Sequence, residues 1–380
     1  MGKFEHDYPA ISDLRRRAKR RIPHFVWEYL DSGTGEETAL PRNRNALDAV
    51  TLLPRVMRGA LHPRIDTTFL GQSFSAPIGI APVGATGMMW PGGEQMLARL
   101  AASAGIPYGL STVATRVPEE IGPIAAGNGW FQLYPLGGEG VVEDILKRAK
   151  ETGFSALILT VDVPINSRRE RQRRAGFNVP PKMTPAMIAQ ILSCPTWLAG
   201  IARYGKPRFK LMEDYVSSKS VTDIAKRLSP ESRPNFEWKD LARLRAAWDG
   251  PIILKGVMAA EDAARAKSEG FEAIWVSNHG GRQLDAAPAA IDMLPGVRAA
   301  VGDDFPLIYD SGVRSGLDVA RAIALGADMV MCGRAFIYGA GAFGERGVQR
   351  CYDILREDLI NVMWQLGVTD LQGLRAIANS

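Results

Sequence analysis

Residues Leu307–Arg334 read LIYDSGVRSGLDVARAIALGADMVMCGR, and this stretch decides how the 380-residue chain folds. It begins with a short apolar strand, continues through an amphipathic helix and ends with a second apolar strand. A Gly- and Arg-containing loop follows each strand. This succession predicts a parallel βαβ unit, because parallel neighbours need a long crossover that is usually helical.

The same pattern extends back along the chain to about residue 78. Eight apolar, β-rich runs each end in polar or Gly residues: Ile78–Pro82, Tyr108–Thr112, Trp130–Tyr134, Ala156–Asp162, Ile252–Gly256, Ala273–Asn278, Leu307–Gly312 and Met329–Gly333. Amphipathic helical stretches lie between them, at Glu94–Ala104, Glu139–Glu151, Ala260–Glu269 and Leu317–Leu325. Eight such units predict an α/β fold, a (β/α)₈ TIM barrel. A doubly wound sheet is the alternative, and the uninterrupted series makes it the weaker one.

The chain is longer than a bare barrel, which needs about 250 residues. Helical patterns at Ile11–Arg21 and Pro23–Leu30 precede the first strand. The fourth strand starts at residue 156 and the fifth at residue 252, a gap of 96, whereas the other starts lie 21 to 34 residues apart. We therefore predict one domain over residues 1–380. It has an N-terminal helical extension, a barrel at about 75–345, and an insertion at about 171–240 between strands four and five.

Composition excludes several classes of protein. Hydrophobic residues make up 46% and charged residues 23%, which is ordinary for a soluble globular protein. The net charge of +5 gives no reason to expect a nucleic acid partner. Three cysteines without a CxxC motif exclude a disulfide scaffold and a cysteine zinc site, and we expect no metal. No apolar signal-peptide core is visible near the N-terminus, so we expect the cytosol.

The residues after the strands carry the chemistry, because a TIM barrel builds its active site at the C-terminal ends of its strands. The loops after strands seven and eight contain Arg314 and Arg334 among glycines and precede helices. Barrels often bind phosphate there, through backbone N–H groups, a helix N-terminus and arginines. The alternative is two tight turns with surface arginines. Gly339–Gly344 fits GxGxxG, but no strand follows it, so we interpret it as a loop or a close-packed helix start.

His279, in SNHGGRQLD after strand six, is the candidate base. A base beside Arg282, which could clamp a carboxylate, suits proton abstraction at or near a carbon that bears an acid. Arg169, after strand four, could be a second clamp. Lys255, after strand five, is compatible with a cation that stabilises negative charge on a cofactor. It is equally compatible with a Schiff-base lysine.

Together the strand ends resemble the FMN-dependent 2-hydroxy acid dehydrogenase/oxidase family, which includes glycolate oxidase, flavocytochrome b2, lactate dehydrogenase and mandelate dehydrogenase. SNHGGRQLD, DSGVRSG and LGADMVMCGRA carry the resemblance, which extends from Tyr29 beyond Arg334. It implies an FMN-binding TIM barrel, in agreement with the strand count.

The resemblance implies a role for each matching residue. Those that act on the substrate are the base His279, its partner Asp162, the carboxylate-binding Arg169 and Arg282, and the hydrogen-bonding Tyr29 and Tyr134. Lys255 stabilises the anionic reduced flavin. Residues that line the flavin are Pro82, Val83, Gly84, Ser111, Gln132, Thr160 and Ser277. Residues that hold its ribityl phosphate are Asp310, Gly312, Arg314, Gly333 and Arg334.

Several positions bear on the reaction. Gly84 resembles the dehydrogenase branch, which reacts poorly with oxygen, and Val113 replaces a bulky Trp of glycolate oxidase. Asn166 resembles mandelate dehydrogenase, whereas APVGATGM and STVAT resemble lactate dehydrogenase as well. The resemblance thus implies oxidation of a mandelate- or lactate-like (S)-2-hydroxy acid, with electrons passing to a membrane quinone or other acceptor. The alternatives are an oxygen-using oxidase, a Schiff-base lyase that uses Lys255, and a non-enzymatic membrane-binding scaffold.

The composition of the insertion predicts an interaction partner for the protein. Residues 171–212 hold eight basic residues and no acidic one, around the twenty uncharged residues Met183–Ala202. Pro185 and Pro195 favour two short amphipathic helices, starting at Thr184-Pro185 and at Thr196, over a transmembrane span. An apolar face with Trp197 and a basic surround predicts a monotopic membrane contact at about 177–212, on the inner face of the cell membrane. A lid or an oligomer contact is the alternative. The resemblance also implies a homotetramer.

Overall fold

The computed structural model describes residues 2–135, 140–177, 183–216 and 236–378. Its strands are β1 (Thr67–Phe69), β2 (Gln72–Phe74), β3 (Ile78–Ile80), β4 (Tyr108–Ser111), β5 (Gly129–Leu133), β6 (Ala156–Thr160), β7 (Ile252–Val257), β8 (Ala273–Val276), β9 (Leu307–Tyr309) and β10 (Met329–Cys332). Strands β3 to β10 pair in parallel, each with the next along the chain, and β10 pairs with β3 to close the barrel. The TIM-barrel prediction is therefore confirmed, with all eight predicted strands in place.

Helices surround the barrel and form its extensions. They are α1 (Lys3–Asp7), α2 (Ile11–Lys19), α3 (His24–Asp31), α4 (Ala39–Ala49), α5 (Thr86–Met89), α6 (Gly93–Ala104), α7 (Pro118–Ala125), α8 (Val141–Glu151), α9 (Glu170–Arg174), α10 (Pro185–Leu192), α11 (Pro195–Tyr204), α12 (Lys210–Glu213), α13 (Leu241–Ala247), α14 (Ala260–Ser268), α15 (Ala290–Val301), α16 (Gly316–Ala324), α17 (Arg334–Phe343), α18 (Glu345–Leu366) and α19 (Leu371–Ala378). The predicted helices are present, although residues 136–139, where one was expected to begin, lie outside the described residues.

The hairpin of β1 and β2 closes the N-terminal end of the barrel. Phe69 and Phe74 are buried there and contact Trp130, with ring centroids 5.9 and 6.0 Å apart. Burial of large aromatic side chains is strongly stabilising, so this end is a packed core. A ligand-binding site is therefore expected at the opposite, C-terminal end of the barrel.

The N-terminal extension packs onto the barrel helices. Arg17 and Arg21 donate to the carbonyls of Ala342 and Gly341 at 3.1 and 3.0 Å, which joins α2 to the end of α17. The GxGxxG-like motif occupies the second half of α17 and the residue after it, so the expected loop or helix start is wrong, although the expected close packing is present at Gly339 and Gly341. At the end of α3, buried Asp31 accepts hydrogen bonds from Arg15 at 2.8 Å and from Tyr338 at 2.8 Å.

The insertion contains the two predicted short helices, α10 and α11. The side chain of Thr184 caps α10 by accepting a hydrogen bond from the backbone N–H of Met187 at 3.2 Å. Helix α11 begins at Pro195, one residue before the predicted Thr196, because proline is well suited to the first helical position. Residues 178–182 and 217–235 of the insertion lie outside the described residues.

Trp197 corrects the predicted membrane face. Its side chain is buried, and its indole Nε1 donates to the carbonyl of Met88 at 3.0 Å. The exposed apolar side chains of this part of the insertion are instead Met183, Ile188, Leu192 and Leu198. Among the described helices none is by itself long and apolar enough to span a membrane. The pair α10 and α11 meets that length and composition together, but it is bent by 91°.

Candidate active site

A cavity of 680 Å³, the barrel cavity, opens at the C-terminal ends of the strands. Most of the predicted site residues line it: Tyr29, Pro82, Val83, Gly84, Tyr134, Arg169, Lys255, His279, Arg282, Asp310, Gly312, Arg314, Gly333 and Arg334. The remaining ones lie at the same strand ends but are not part of the lining: Ser111, Gln132, Thr160, Asp162 and Ser277. One cavity thus brings together side chains from residues 29 to 334.

The backbone at the cavity is strained. Ala85, Arg169, His279 and Ser311 all have positive φ angles, between 46° and 90°. Non-glycine residues rarely adopt this conformation, and such strain concentrates at functional sites. The strained backbone of His279 is stabilised by a hydrogen bond, because its N–H donates to Ser277 Oγ at 3.0 Å.

His279 and Asp162 form a paired acid–base group. Burial is the largest influence on His279 and lowers its pKa below the usual value, while the Asp162 carboxylate opposes that shift. Burial raises the pKa of Asp162, but His279 and Lys255 outweigh it, so this pKa lies below its ordinary value. A neutral imidazole therefore faces an ionised carboxylate. Nδ1 carries the proton that Asp162 accepts, and Nε2 is left as a base.

Gly256 makes room for Asp162. Its φ is +103°, and a Cβ at this position would lie 2.5 Å from Cβ of Asp162. Any side chain there would displace the carboxylate from His279, so glycine is required by both the conformation and the contact.

Arg282 and Arg169 form an anion site beside His279. Burial lowers the pKa of Arg282 to about 9, and the positive charge of Arg169 adds to the shift. The guanidinium of Arg282 donates to the carbonyl of Ser32 at 2.8 Å and lies over the ring of Tyr29. Arg169 donates to Ser167 Oγ at 3.1 Å. The positive charges of Arg282 and Arg169 repel one another, and a carboxylate bound between them would relieve that repulsion and accept hydrogen bonds from both.

Lys255 lies in a buried polar cluster. Its Nζ donates to Ser277 Oγ at 3.2 Å and lies 3.7 Å from an Asp310 carboxylate oxygen. Ser277 in turn donates to Asp310 at 2.6 Å. The amine is thus buried and already engaged by a hydroxyl and a carboxylate, which leaves it poorly placed to attack a substrate carbonyl. The cluster therefore supports the cationic interpretation of Lys255 over the Schiff-base interpretation.

Arg314 and Arg334 form a second anion site, at the start of two helices. Arg314 precedes α16, and Arg334 is the first residue of α17. Burial lowers the pKa of Arg334, and the charge of Arg314 adds to the effect. Helix N-termini with arginines are the donor set that a phosphate group needs.

Several residues of the site were not predicted. Phe177 and Phe209, from the insertion, line the barrel cavity, as do Val163, Ser311 and Val313. The amides of Asn43 and Asn278 pair in both directions, at 3.0 and 2.7 Å, which anchors α4 to the loop that carries His279. No motif marks the two phenylalanines, because their place depends on how the insertion folds over the barrel. Asn278 is the residue that the sequence could have indicated, because it lies next to His279 in the motif SNHGGRQLD.

The structure combines a TIM barrel with a histidine–aspartate pair and two pairs of arginines at the C-terminal ends of the strands, and comparison with known proteins identifies the class of enzyme. Residues 18–378 match the family model of FMN-dependent dehydrogenases. An L-lactate dehydrogenase of Pseudomonas aeruginosa is 37% identical over 369 residues, 97% of each chain. One from Xanthomonas axonopodis pv. citri is 38% identical over 373 residues, 98% of this chain and 96% of that protein.

Solved structures give the same result. The monotopic membrane protein (S)-mandelate dehydrogenase superposes with a TM-score of 0.90 at 33% identity, covering 96% of this chain and 97% of that one. A lactate oxidase of Pediococcus acidilactici superposes with a TM-score of 0.82 at 29% identity, covering 98% and 94%. This chain belongs to the FMN-dependent dehydrogenase family, and its cofactor is FMN.

The barrel residues fit FMN. Gln132 Nε2 and Thr160 Oγ1 are buried and have no hydrogen-bond partner among the described residues, although they lie at or near the ends of β5 and β6. Buried polar atoms are nearly always paired, so these two indicate a polar ligand. The polar edge of a flavin supplies such partners, and the Arg314–Arg334 site suits its phosphate.

Proposed function

We propose that the protein oxidises an (S)-2-hydroxy acid to the 2-oxo acid and passes the electrons to a membrane quinone. The observation that carries this proposal is the contact of His279 with Asp162 beside Arg282. Because Nδ1 faces Asp162, Nε2 would act as the base, and Arg282 beside it would bind the substrate carboxylate. A 2-hydroxy acid presents its carboxylate and its reacting carbon on adjacent atoms, as this pair of groups requires.

In this mechanism Arg282 and Arg169 bind the substrate carboxylate, and Tyr29 and Tyr134 hydrogen-bond the substrate. His279 Nε2 takes a proton from Cα, or from the hydroxyl while a hydride leaves Cα, and the geometry serves both routes. Asp162 stabilises the imidazolium that forms. FMN, when bound, would supply the two-electron acceptor for this oxidation.

The remaining predicted residues would hold and tune the cofactor. Lys255 would stabilise negative charge on the reduced ring, since it is a buried cation at the C-terminal end of β7. Pro82, Val83, Gly84, Ser111, Gln132, Thr160 and Ser277 would line the flavin. Asp310, Gly312, Arg314, Gly333 and Arg334 would hold its phosphate.

We propose a substrate with an apolar side chain, of the lactate or mandelate type. Val113, Phe177 and Phe209 give the barrel cavity an apolar wall beside Tyr29. The relatives named for lactate and for mandelate support this class of substrate. The size of the substrate side chain is a matter for the experiment that follows.

Anaerobic flavin reduction with a panel of 2-hydroxy acids tests the proposal. We expect the yellow protein to bleach with (S)-lactate or (S)-mandelate. A protein that binds FMN but is not bleached by any (S)-2-hydroxy acid would refute the function. Re-oxidation then tests the role of Gly84: it should be much faster with a short-chain quinone than with oxygen, and equal rates would favour the oxidase alternative.

We propose that the protein is peripheral on the inner face of the cell membrane, held by the insertion, and that it acts as one domain and as a homotetramer. Exposed Ile188, Leu192 and Leu198 on α10 and α11 support the membrane contact, as does the monotopic mandelate dehydrogenase. Sedimentation with anionic liposomes tests the contact, and light scattering in detergent tests the tetramer.

A further inference from the structure

A second cavity, the outer cavity, lies beside the barrel cavity and between α3, α9 and α10. Its volume is 660 Å³, and small-molecule sites typically fall between about 300 and 1,000 Å³. Its lining includes His24, Glu28, Arg174, Ala186, Met187 and Gln190. None of the roles described above uses it.

The wall between the two cavities is thin. Glu28 and Gly176 line the outer cavity, and the residues next to them in the chain, Tyr29 and Phe177, line the barrel cavity. The rings of Tyr29 and Phe177 stack with centroids 4.8 Å apart, and Phe177 stacks on Phe25 at 6.4 Å. A row of three aromatic rings therefore runs along this wall.

The row ends at the outer cavity. The backbone N–H of Phe25 donates to Gln190 Oε1 at 3.1 Å, and Gln190 lines the outer cavity. Its oxygen is thus engaged, which leaves the amide NH₂ to act as a donor toward a ligand.

The other lining groups fit a flat, uncharged ring with carbonyl oxygens. Arg174 adds donors, and His24 adds its ring Nε2, since its Nδ1 lies 3.6 Å from Glu28 Oε1. Glu28 is neutralised by Arg171, with 2.6 Å between the two charged groups. Met187 and Ala186 supply apolar surface. The cavity therefore offers hydrogen-bond donors and apolar contacts, with its one carboxylate already paired.

We propose that the outer cavity binds the ring of a quinone and that electrons reach it through Tyr29, Phe177 and Phe25. The inference rests on the proposed function for the source of the electrons. Bound reduced FMN (FMNH⁻) would supply two electrons and one proton on returning to FMN. The quinone would take these two electrons with that proton and one more from solvent, and leave as the quinol. Helix α10, which lines the outer cavity through Ala186, Met187 and Gln190, also carries the exposed side chains of Ile188 and Leu192.

Binding of a decyl-substituted benzoquinone to the oxidised holoenzyme tests this site directly by calorimetry. Ala186→Trp fills the cavity from an exposed position, and His24→Phe removes a donor. We expect each to raise Kd at least about tenfold, the effect of roughly one lost hydrogen bond or blocked contact. Re-oxidation of the flavin by the quinone should slow in parallel, while its reduction by hydroxy acid and its re-oxidation by ferricyanide stay unchanged.

Matched controls are Ala199→Trp, on α11 outside the cavity lining, and His62→Phe, whose ring lies against Trp364. Both should leave Kd unchanged. Equal quinone Kd for the wild type and Ala186→Trp would overturn the proposal. A loss of affinity for phosphatidylglycerol vesicles with unchanged quinone binding would overturn it too, and would make the cavity a lipid headgroup site. If hydroxy acids fail to reduce the flavin, the proposed function fails, while the calorimetry still decides the outer cavity.

Discussion

His279 Nδ1 lies 3.0 and 3.1 Å from the two carboxylate oxygens of Asp162, so one ring nitrogen faces both. This contact fixes the tautomer of the imidazole and turns Nε2 away from the carboxylate. Serine hydrolases use a comparable pairing to hold a histidine base in the reactive form. In this protein the two residues follow different strands of the barrel: Asp162 follows β6, and His279 follows β8.

Asp162→Asn should slow flavin reduction by about 100-fold or more, because the imidazolium that forms loses its counterion. The base must be neutral, so reduction speeds up as the pH rises through the pKa of His279. That pKa is already below its usual value because of burial, and Asp162 partly restores it. The acid limb of the pH profile should therefore move to lower pH in the variant. Stopped-flow reduction across pH measures both effects.

Asp353, which lies on α18 outside the barrel cavity and accepts a hydrogen bond from Gln349, provides a matched control, since Asp353→Asn should leave both the rate and the profile unaltered. An acid limb that stays in place in Asp162→Asn would show that the ionisation seen in the profile is not that of His279.

Gly84→Ala should damage the loop after β3. A Cβ at Gly84 would lie 2.6 Å from Cγ2 of Val113, so one of the two must move. Overpacking of this kind costs typically about 1–3 kcal/mol in the free energy of unfolding. Val113→Ala removes the clashing methyl, so the double variant should recover most of the loss. Urea unfolding of the four proteins of the cycle measures the coupling, and simple additivity would contradict the contact.

Asp31 should make the protein acid-sensitive. Burial raises its pKa, but hydrogen bonds from Arg15 and Tyr338 outweigh burial and hold it at about 2. A carboxyl whose pKa is lower in the folded state stabilises that state above the unfolded pKa and loses the effect as pH falls. Between about pH 4 and pH 2 the wild type should lose about 2 kcal/mol through this group. Asp31→Asn should flatten that part of the curve of urea midpoint against pH, and an unchanged slope would reject the assignment.

Ile188→Ser with Leu192→Ser should release the protein from membranes. The two side chains lie one turn apart on α10 and are 47% and 65% exposed. Each fully buried aliphatic side chain contributes about 1.5–3 kcal/mol to transfer from water. Liposome sedimentation should show at least a tenfold weaker partition, with flavin reduction intact. Leu53→Ser, which changes a leucine of 57% exposure outside the insertion, should sediment like the wild type.

The barrel could be predicted because its strands carry a local signal. Each run from Ile78 to Gly333 is apolar and ends in a polar or glycine residue, and a parallel barrel imposes that pattern on every strand. The site residues follow from the same rule, since strand ends converge at one mouth. His279 and Lys255 were found in this way.

What the sequence did not reveal depends on tertiary packing. Trp197 looked like part of a membrane face, because composition does not tell which side of a short helix turns toward the barrel. Phe177 and Phe209 were missed for the same reason. The outer cavity forms where α3 and α10 meet, and these helices begin about 160 residues apart in the chain. The sequence of neither helix alone indicates a cavity.

Phe177 and Phe209 line the barrel cavity, yet they belong to the same insertion as the exposed helices α10 and α11. If the insertion both contacts the membrane and selects the substrate, as proposed above, these two properties are inherited together. A chimera that exchanges the whole insertion with a relative would transplant both properties at once. An exchange confined to residues 183–205 would separate them, and these are the boundaries that an engineer of this enzyme would need.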